Sequence, residues 1–543
     1  MKIIKKIGKI INFLENGPIT VKTFLISFSA VVAVRYIIEN ILFGFQNYSF
    51  AFIIGSMIQG TFLFFLMASI TILTFLVFFT KERISKLANI ILWGQWLIVL
   101  PPIIDKIIFK SESFWSFYIF DSVVGLFKRF FTFFGNNPSF GITYGTRIEI
   151  LLAIIGIGFY VGFKKRSFSK GLLALFFTYI ILYTFAVFPS LLTFIIKGFS
   201  GSDIFKLQGA DVAAQFLTSL EIFDFAKKPA KIALHFRASL FYTVVLFGNL
   251  LFLQFILNKK RFLALLKNVR YPQMFFNYGL FFVGLAMGCF YFKRNISFDV
   301  FGVLVVVNLI ISIFSAWFYS VFVNDLMDME IDKITNKERP LIKKIFNKEE
   351  YREYEFVFMG MALLTAIVVG SKFFLIITVY LLITWVYSCY PFRLKRVIFV
   401  SSVVSAGASI LFLFMGFIVL SDNQSLIGFP WRIGIFLLVV YIILIPIKDL
   451  KDIEGDKKNH ISTIPILLGE DNARFVFGIA LFISYIGSVL VLNEKKLWFS
   501  AIIFGSINYW LLNNKKIKIK HINWSILGAV FIYGVLLVAI SFF

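Results

Sequence analysis

Long apolar runs recur along the whole chain, and they limit its possible folds more than any other feature. About fifteen of them approach the roughly 20 residues that a helix needs to cross a bilayer. Of the 543 residues, 59% are hydrophobic and 15% are charged, and the mean hydropathy is +0.88. A soluble protein of this length has too little interior to bury so much apolar surface. We therefore expect an all-α polytopic membrane protein with about fifteen transmembrane helices. The predicted spans are Thr23–Phe45, Ala51–Phe79, Leu87–Ile108, Ile148–Phe163, Gly171–Ile196, Ala238–Leu257, Phe275–Tyr291, Val300–Val323, Tyr354–Gly370, Phe373–Tyr387, Val397–Leu420, Trp431–Ile447, Ala473–Leu492, Trp498–Leu512 and Trp524–Phe542.

The distribution of charge predicts the orientation in the membrane. The net charge is +25, from 54 Lys and Arg against 29 Asp and Glu. In a membrane protein such an excess usually marks cytoplasmic loops and contact with anionic headgroups, so we expect membrane lipid as a partner and no nucleic acid. Basic connectors such as Lys81–Lys86, Lys164–Lys170 and Lys333–Lys348 predict a cytoplasmic N-terminus and a C-terminus on the outer side.

The basic connector Asn258–Arg270 divides the chain into two halves. We expect residues 1–270 to form an N-terminal transmembrane module of unknown function with about six spans. Residues 271–543 then form a second module with about nine spans. The two cysteines, Cys289 and Cys389, lie within or beside apolar runs and imply no disulfide framework.

Three carboxylates close the apolar run of the second module that ends at Val323. Asp325, Asp328 and Asp332 are spaced i, i+3 and i+7, so on a helix they share one face. Ionised carboxylates at the end of a membrane span are costly, and three on one face repel each other. We therefore expect a cationic group between them.

A second acidic stretch repeats this spacing at the end of another apolar run. It contains Asp449, Asp452 and Asp456 in the segment KDLKDIEGD. Mg²⁺ takes oxygen ligands and commonly uses a few carboxylates together with phosphate oxygens. We predict that the two acidic stretches face each other and hold about two Mg²⁺ ions together with a diphosphate. The candidate metal ligands are Asp325, Asp328, Asp332, Asp449, Asp452 and Asp456.

Cationic and amide side chains in the neighbouring cytoplasmic connectors suit the same anion, because Arg and Lys both pair well with phosphate oxygens. An equally open interpretation is that these cations only set the membrane topology. The candidate diphosphate-binding residues are Asn324, Lys333, Arg339, Arg393, Lys395 and Lys448.

These segments resemble the signatures of the UbiA superfamily of intramembrane prenyltransferases. NDLMDMEID (Asn324–Asp332) is similar to the family's NDxxDxxxD motif. Tyr441 followed by KDLKDIEGD (Lys448–Asp456) is similar to its second motif, and YSCYPFRLKR (Tyr387–Arg396) resembles its YSxxLKR loop. Arg339 and Pro340 also match, although RPLIKKIF departs from the usual continuation of that pair. The resemblance covers about residues 271–543.

The resemblance implies a nine-helix ring around a central cavity that is open to lipid, with both acidic motifs at the cytoplasmic side. Members transfer a polyprenyl group from its Mg²⁺-bound diphosphate to an acceptor, as in quinone and prenyl-lipid biosynthesis. The resemblance assigns catalysis to Asp325, Asp328, Asp449 and Asp452. Tyr387 and Tyr441 would add electron-rich walls for an allylic cation, although tyrosines at these depths also occur simply as interfacial aromatics.

Two alternatives remain open at this stage. Paired carboxylates in membrane spans also occur in ion-coupled transporters. A non-catalytic lipid-handling or partner-docking role suits the first half, which resembles no family that we can name. There, Arg35 and Glu39 are spaced to pair with each other, and Glu149 and Asp121 are expected at solvated ends of spans.

Overall fold

The computed structural model describes residues 2–44, 52–109, 122–135, 142–217, 230–293, 299–451, 453, 457, 463–514 and 519–542. Most of these residues are helical, and none of them lies in a strand. Asp121, Asp452 and Asp456 lie outside them, and only the backbone of Lys448 is described. The chain forms two compact units. The first runs up to Lys259 and includes Val303–Val305, and the second contains Lys260–Gly302 and Val306–Phe543.

The first unit contains eleven α-helices within the described residues. They are α1 (Lys2–Glu15), α2 (Val21–Phe43), α3 (Leu63–Thr80), α4 (Ile84–Gln95), α5 (Leu100–Phe109), α6 (Val123–Phe131), α7 (Tyr144–Lys165), α8 (Phe168–Ala186), α9 (Phe188–Phe199), α10 (Gly209–Leu217) and α11 (Ala230–Leu257). A π-helical segment, Ile53–Phe62, leads into α3, and short 3₁₀ turns cover Trp96–Val99 and Ile204–Lys206.

The second unit follows the same all-helical pattern. Its helices are α12 (Lys259–Lys267), α13 (Tyr271–Phe292), α14 (Val300–Met327), α15 (Met329–Thr335), α16 (Lys348–Val369), α17 (Ser371–Ser388), α18 (Val400–Leu420), α19 (Trp431–Leu444), α20 (Ile464–Leu468), α21 (Glu470–Leu492), α22 (Trp498–Asn513) and α23 (Ile519–Phe542). The 3₁₀ segments are Leu394–Arg396, Asp422–Gln424, Ile445–Lys451 and Lys495–Leu497.

Twelve helices of the described part are long and apolar enough to cross a membrane, which makes the chain an integral membrane protein. The predicted count of about fifteen spans is therefore not confirmed. Within the described residues each predicted span falls largely on helical segments, and Gly171–Ile196 covers parts of two helices, α8 and α9. Three predicted spans are not among these twelve helices. They correspond to α16, whose first turns carry charged residues, and to the apolar helices α19 and α22, which have only 14 and 16 residues.

Polar residues at the helix starts satisfy backbone N–H groups that have no partner inside the helix. Asn347 accepts from the N–H of Glu350, and the Glu350 side chain accepts from the N–H of Asn347, which gives α16 a capping box. Asp299 accepts from the N–H of Gly302 at the start of α14. These caps fix where the two helices that flank the first acidic stretch begin.

The closest helix packing in the second unit is between α13 and α18. A Cβ atom on Gly284 would collide with the backbone of Leu413, and one on Gly416 would collide with the backbone of Phe281. Gly288 approaches the same helix one turn further along. Small residues spaced four apart allow transmembrane helices to pack backbone against backbone, so these glycines set the distance between α13 and α18.

An aromatic cluster packs α14 against α16 just before the first acidic stretch. The ring of Phe318 lies 4.7 Å from that of Phe358, and the ring of Phe322 lies 4.6 Å from that of Tyr351. Offset and edge-to-face aromatic contacts restrict how the rings can lie against each other. The cluster therefore holds the Tyr351 hydroxyl beside the end of α14.

Candidate active site

The first acidic stretch is not one continuous helical face. Helix α14 ends at Met327, α15 begins at Met329, and Asp328 occupies the break with φ −103° and ψ 13°. Asp325 and Asp332 both accept from Arg339, whereas the cations that pair with Asp328 come from a different part of the chain. The cation expected among the three carboxylates is present, but the predicted common face is divided at Asp328.

Asp325 is buried, with only 1% of its surface exposed, and both of its oxygens have donors. Its Oδ1 atom accepts from Arg270 and from Arg339, each at 2.5 Å. Its Oδ2 atom accepts from the Asn268 amide and from the Tyr351 hydroxyl, each at 2.8 Å. A buried carboxylate paired on all sides in this way fixes the position of both arginines.

Asp328 pairs with the loop between α17 and α18. It accepts from Arg393 Nη2 at 2.8 Å, from the Lys395 ammonium and from the Asn324 amide at 2.9 Å. Burial raises the pKa of the Asp328 carboxyl, but the charges and hydrogen bonds of Lys395 and Arg393 outweigh burial, so that its pKa is lowered. Asp328 therefore stays ionised and holds two cations at the end of α14.

Asp332 has a different environment, although it lies only one turn further along. Burial raises the pKa of its carboxyl to about 6, despite the nearby Arg339 guanidinium and the hydrogen bond from Asn336. Asp332 thus contacts the same guanidinium nitrogen of Arg339 as Asp325 does.

A cavity of about 720 Å³ opens beside these ion pairs within the second unit. Asn324 and Arg339 from the first acidic stretch line it together with Asp449 from the second. The two stretches thus reach one cavity, although Asp325, Asp328 and Asp332 lie behind its wall among their own donors.

The remaining walls of this cavity are mainly aromatic and apolar. Tyr387 and Tyr441 both line it, as do Trp317 and Phe276. The Tyr441 ring stacks on Phe276 with 4.3 Å between ring centroids and 10° between planes. The cavity therefore combines a charged end with walls that suit an apolar chain.

The structure places some predicted site residues elsewhere. Lys333 donates to Glu330 at 2.7 Å on an exposed surface and does not line the cavity. Arg393 and Lys395 reach the site only through Asp328. The side chains of Lys448, Asp452 and Asp456 belong to the part of the chain that is not described.

Three residues that contact Asp325 are not among those predicted from the sequence. Arg270 and Asn268 come from the connector before α13, where basic residues were attributed to membrane topology. Tyr351 comes from the start of α16. The Trp317 indole donates to the carbonyl of Val269 at 2.7 Å and so attaches this connector to α14. No local spacing indicates these contacts, because all three residues are distant from Asp325 in the sequence.

Comparison with known proteins shows the family of the second unit. Residues 279–540 match the model of the UbiA prenyltransferase family. The C-terminal half of the chain is therefore a UbiA-family domain, which confirms the resemblance found in its motifs.

Two curated relatives show the range of this similarity. The digeranylgeranylglyceryl phosphate synthase of Thermococcus gammatolerans is 26% identical over 33% of this chain and 62% of its own length. The homogentisate phytyltransferase of Synechocystis is 30% identical over 30% of this chain and 56% of its own length. The chain thus spans about three fifths of the length of these relatives.

Among solved structures, the chain is similar to a UbiA homolog from Archaeoglobus fulgidus that is bound to GPP and Mg²⁺. The identity is 20% and the TM-score is 0.40, over 51% of this chain and 99% of that chain.

Proposed function

We propose that the second unit is an Mg²⁺-dependent intramembrane prenyltransferase. It moves a polyprenyl group from its diphosphate to an aromatic or glycerol-phosphate acceptor. The observation that carries this proposal is the cavity in which Asn324, Arg339 and Asp449 lie at the same site as Tyr387 and Tyr441. The two curated relatives, a digeranylgeranylglyceryl phosphate synthase and a homogentisate phytyltransferase, support these two acceptor classes.

The oxygen donors around the cavity suit a hard divalent cation. Within the described residues, no group of three or more His, Cys, Asp or Glu side chains could by itself hold a metal ion. The amide of Asn324 and the carboxylate of Asp449 line the cavity, and the carboxylate of Asp328 adjoins Asn324. Asn324, Asp328 and Asp449 would therefore share Mg²⁺ with the diphosphate oxygens, with Asp452 and Asp456 completing the set. When bound, Mg²⁺ neutralises charge on the diphosphate and so eases cleavage of the allylic C–O bond.

Asp325 has a different part in this proposal from the other carboxylates. Asp325 is only 1% exposed and has four donors on its two oxygens, whereas the Asp328 side chain is 14% exposed and has three donors. Metal binding at Asp325 would therefore leave the partly buried Arg270 and Arg339 without their carboxylate. Asp325 is therefore a positioning residue that holds both arginines at the charged end of the cavity.

The cations of the site bind the anion and stabilise the charge that develops as it leaves. Arg339 lines the cavity directly, and Arg270 does so beside it. Arg393 and Lys395 are held close by Asp328. Fixed cations that face the departing diphosphate stabilise the transition state without further reorganisation.

The walls hold the prenyl chain and protect the reacting carbon from water. Tyr387 and Tyr441 present aromatic rings that stabilise positive charge on the allylic group. Trp317 and Phe276 extend the apolar surface along which the chain lies. Water exclusion favours transfer to the acceptor over hydrolysis.

The basic connectors favour a cytoplasmic position for the charged end of this cavity, with the N-terminus on the same side. The proposed domain boundary near residue 270 leaves the first unit as a separate module.

The test uses the purified full-length chain in detergent with geranylgeranyl diphosphate. Homogentisate and geranylgeranylglyceryl phosphate are offered in parallel as acceptors, and both pyrophosphate and prenylated product are measured. We expect turnover with Mg²⁺ and none with EDTA. Asp449→Asn and Asp328→Asn should each lower kcat at least about 100-fold, while the exposed Glu330→Gln keeps full activity. An ion-coupled transporter would release no pyrophosphate under any of these conditions.

A further inference from the structure

The first unit contains a cavity of its own, with a volume of about 420 Å³. Helices α1, α2, α3, α4, α7 and α8 all contribute to its lining. Its walls are largely apolar, with aromatic side chains such as Phe65, Trp93 and Phe159. Cavities of this size and lining are typical of small-molecule sites.

A few polar side chains are among the residues that line this apolar cavity. Gln95 is 6% exposed, and its Oε1 atom accepts from the Ser69 hydroxyl at 2.8 Å. Its Nε2 atom has no hydrogen-bond partner among the described residues, and neither has Nε of Arg35. Both side chains line the cavity. Leaving a buried donor unpaired is costly, so these donors indicate a missing acceptor.

The charges around Arg35 indicate what kind of ligand head group fits this cavity. The guanidinium lies 3.9 Å from Glu39, and Glu149, which also lines the cavity, interacts with it electrostatically. The pairing expected for Arg35 and Glu39 is thus confirmed. Glu149, in contrast, lies in the second turn of α7 beside the cavity and not at a solvated end of a span. With two carboxylates near one guanidinium, the site has no surplus positive charge to attract an anionic head.

We propose that this cavity binds an uncharged amphiphile, an apolar chain with a hydroxyl or carbonyl head. The head oxygen accepts from Gln95 and Arg35, and a head hydroxyl donates to Glu149. The chain lies between α3, α4 and α7 against the aromatic walls. This site is separate from the proposed transferase cavity and does not depend on its activity.

A glycine in the wall allows a direct test. Gly156 lines the cavity, and a Cβ atom there would meet nothing within 4 Å, so Gly156→Leu fills the space without displacing a helix. Gly248 in α11 has equally open surroundings and lies outside the cavity lining, which makes Gly248→Leu the matched control.

Binding of tritiated geranylgeraniol to the full-length protein in detergent is the measurement. We expect Gly156→Leu to weaken binding at least about tenfold and Gly248→Leu to leave it unchanged. Ser405→Trp, which narrows the cavity of the second unit, should also leave this binding unchanged. Equal binding by Gly156→Leu and the wild type, or loss of binding in Ser405→Trp, would overturn the proposal.

The recognition of the head is tested separately. Gln95→Leu should weaken geranylgeraniol binding about tenfold while leaving the binding of squalene, a hydrocarbon without a head, unchanged. Competition should show that oleate, an anion at pH 8, displaces geranylgeraniol poorly. Stronger displacement by oleate than by unlabelled geranylgeraniol would show that the head site selects an anion, against the proposal.

The location of the bound ligand is tested by photolabelling. A diazirine-bearing geranylgeraniol should label peptides of α3, α4 or α7, and labelling confined to the second unit would contradict the proposed site.

Discussion

Arg339 Nη1 lies 2.5 Å from Oδ1 of the buried Asp325, and this pair connects the end of α14 to the charged end of the cavity. The same guanidinium contacts Asp332, which lies seven residues further along the chain. Arg339 therefore has a fixed position before any anion arrives. Such preorganisation is what a site that binds a diphosphate needs, because the cation then reorganises little during the reaction.

Lys395 should matter more for activity than its neighbour in the same loop. Its ammonium pairs with Asp328, whereas Arg396 is exposed. We expect Lys395→Gln to lower kcat/KM for the prenyl diphosphate about 10- to 100-fold, because it removes a cation next to the proposed diphosphate site. Arg396→Gln is the control and should stay within about twofold of the wild type. Steady-state kinetics at saturating Mg²⁺ measures both, and equal losses would contradict the assignment.

The wall of the proposed transferase cavity should limit the length of the prenyl chain. Ser405 on α18 lines the cavity, while Gly407 on the same helix does not and has open surroundings. Ser405→Trp should lower kcat/KM for geranylgeranyl diphosphate about tenfold or more and affect dimethylallyl diphosphate less. Gly407→Leu should change neither value. Equal losses with both substrates would place the chain elsewhere.

The contact between α13 and α18 should tolerate no side chain at its centre. Gly284→Ala places a methyl group against the backbone of Leu413, and we expect it to lower the free energy of unfolding by about 3 kcal/mol. Gly279→Ala lies in the same helix with open space and should be neutral or slightly stabilising. Thermal unfolding in detergent compares the two, and a neutral Gly284→Ala would show that the helices are further apart.

A buried carboxylate in the first unit should give its stability a dependence on pH. Burial alone would raise the pKa of Glu15. Hydrogen bonds from Lys164 and Tyr160, together with the charges of Lys164 and Lys86, outweigh burial and lower the pKa below its ordinary 4.5. The pKa of Glu15 is thus lower in the folded than in the unfolded protein. The stabilisation that ionised Glu15 provides is therefore complete above pH 4.5 and is lost as the pH falls through the folded pKa.

Glu15→Gln should therefore lower the free energy of unfolding by roughly 3 kcal/mol at pH 7, because Lys164 keeps its charge without its partner. The difference from the wild type should shrink as the pH falls below the ordinary pKa of 4.5. Unfolding followed by tryptophan fluorescence measures this, with Glu82→Gln as the control. A difference that is constant between pH 7 and pH 3 would contradict the depressed pKa.

Several parts of this account were predictable because they follow from local pattern. Apolar runs long enough to cross a bilayer predicted the long helices of both units. The repeated spacing of acids at the ends of two runs indicated that both stretches serve one site, and Asn324 and Asp449 do line one cavity. The match of residues 279–540 to the family model confirms the resemblance of the motifs.

Other parts depend on contacts between distant segments, which no local pattern contains. The spacing of Asp325, Asp328 and Asp332 suggested one face, but Arg393 and Lys395 bind Asp328 where the helix breaks. Arg270 was indistinguishable from a basic residue that sets topology. Lys333 looked equivalent to Arg339 by position, yet it pairs with Glu330 on the surface.

The most direct test of the central claim is an experimental structure of the full-length protein with Mn²⁺ and geranylgeranyl thiodiphosphate, an analogue that resists cleavage. The account predicts anomalous density for Mn²⁺ between Asn324, Asp328 and Asp449, with the diphosphate next to Arg339 and the prenyl chain along Tyr387 and Tyr441. Metal bound away from both acidic stretches, or Asp328 and Asp449 too far apart to share one diphosphate, would contradict it.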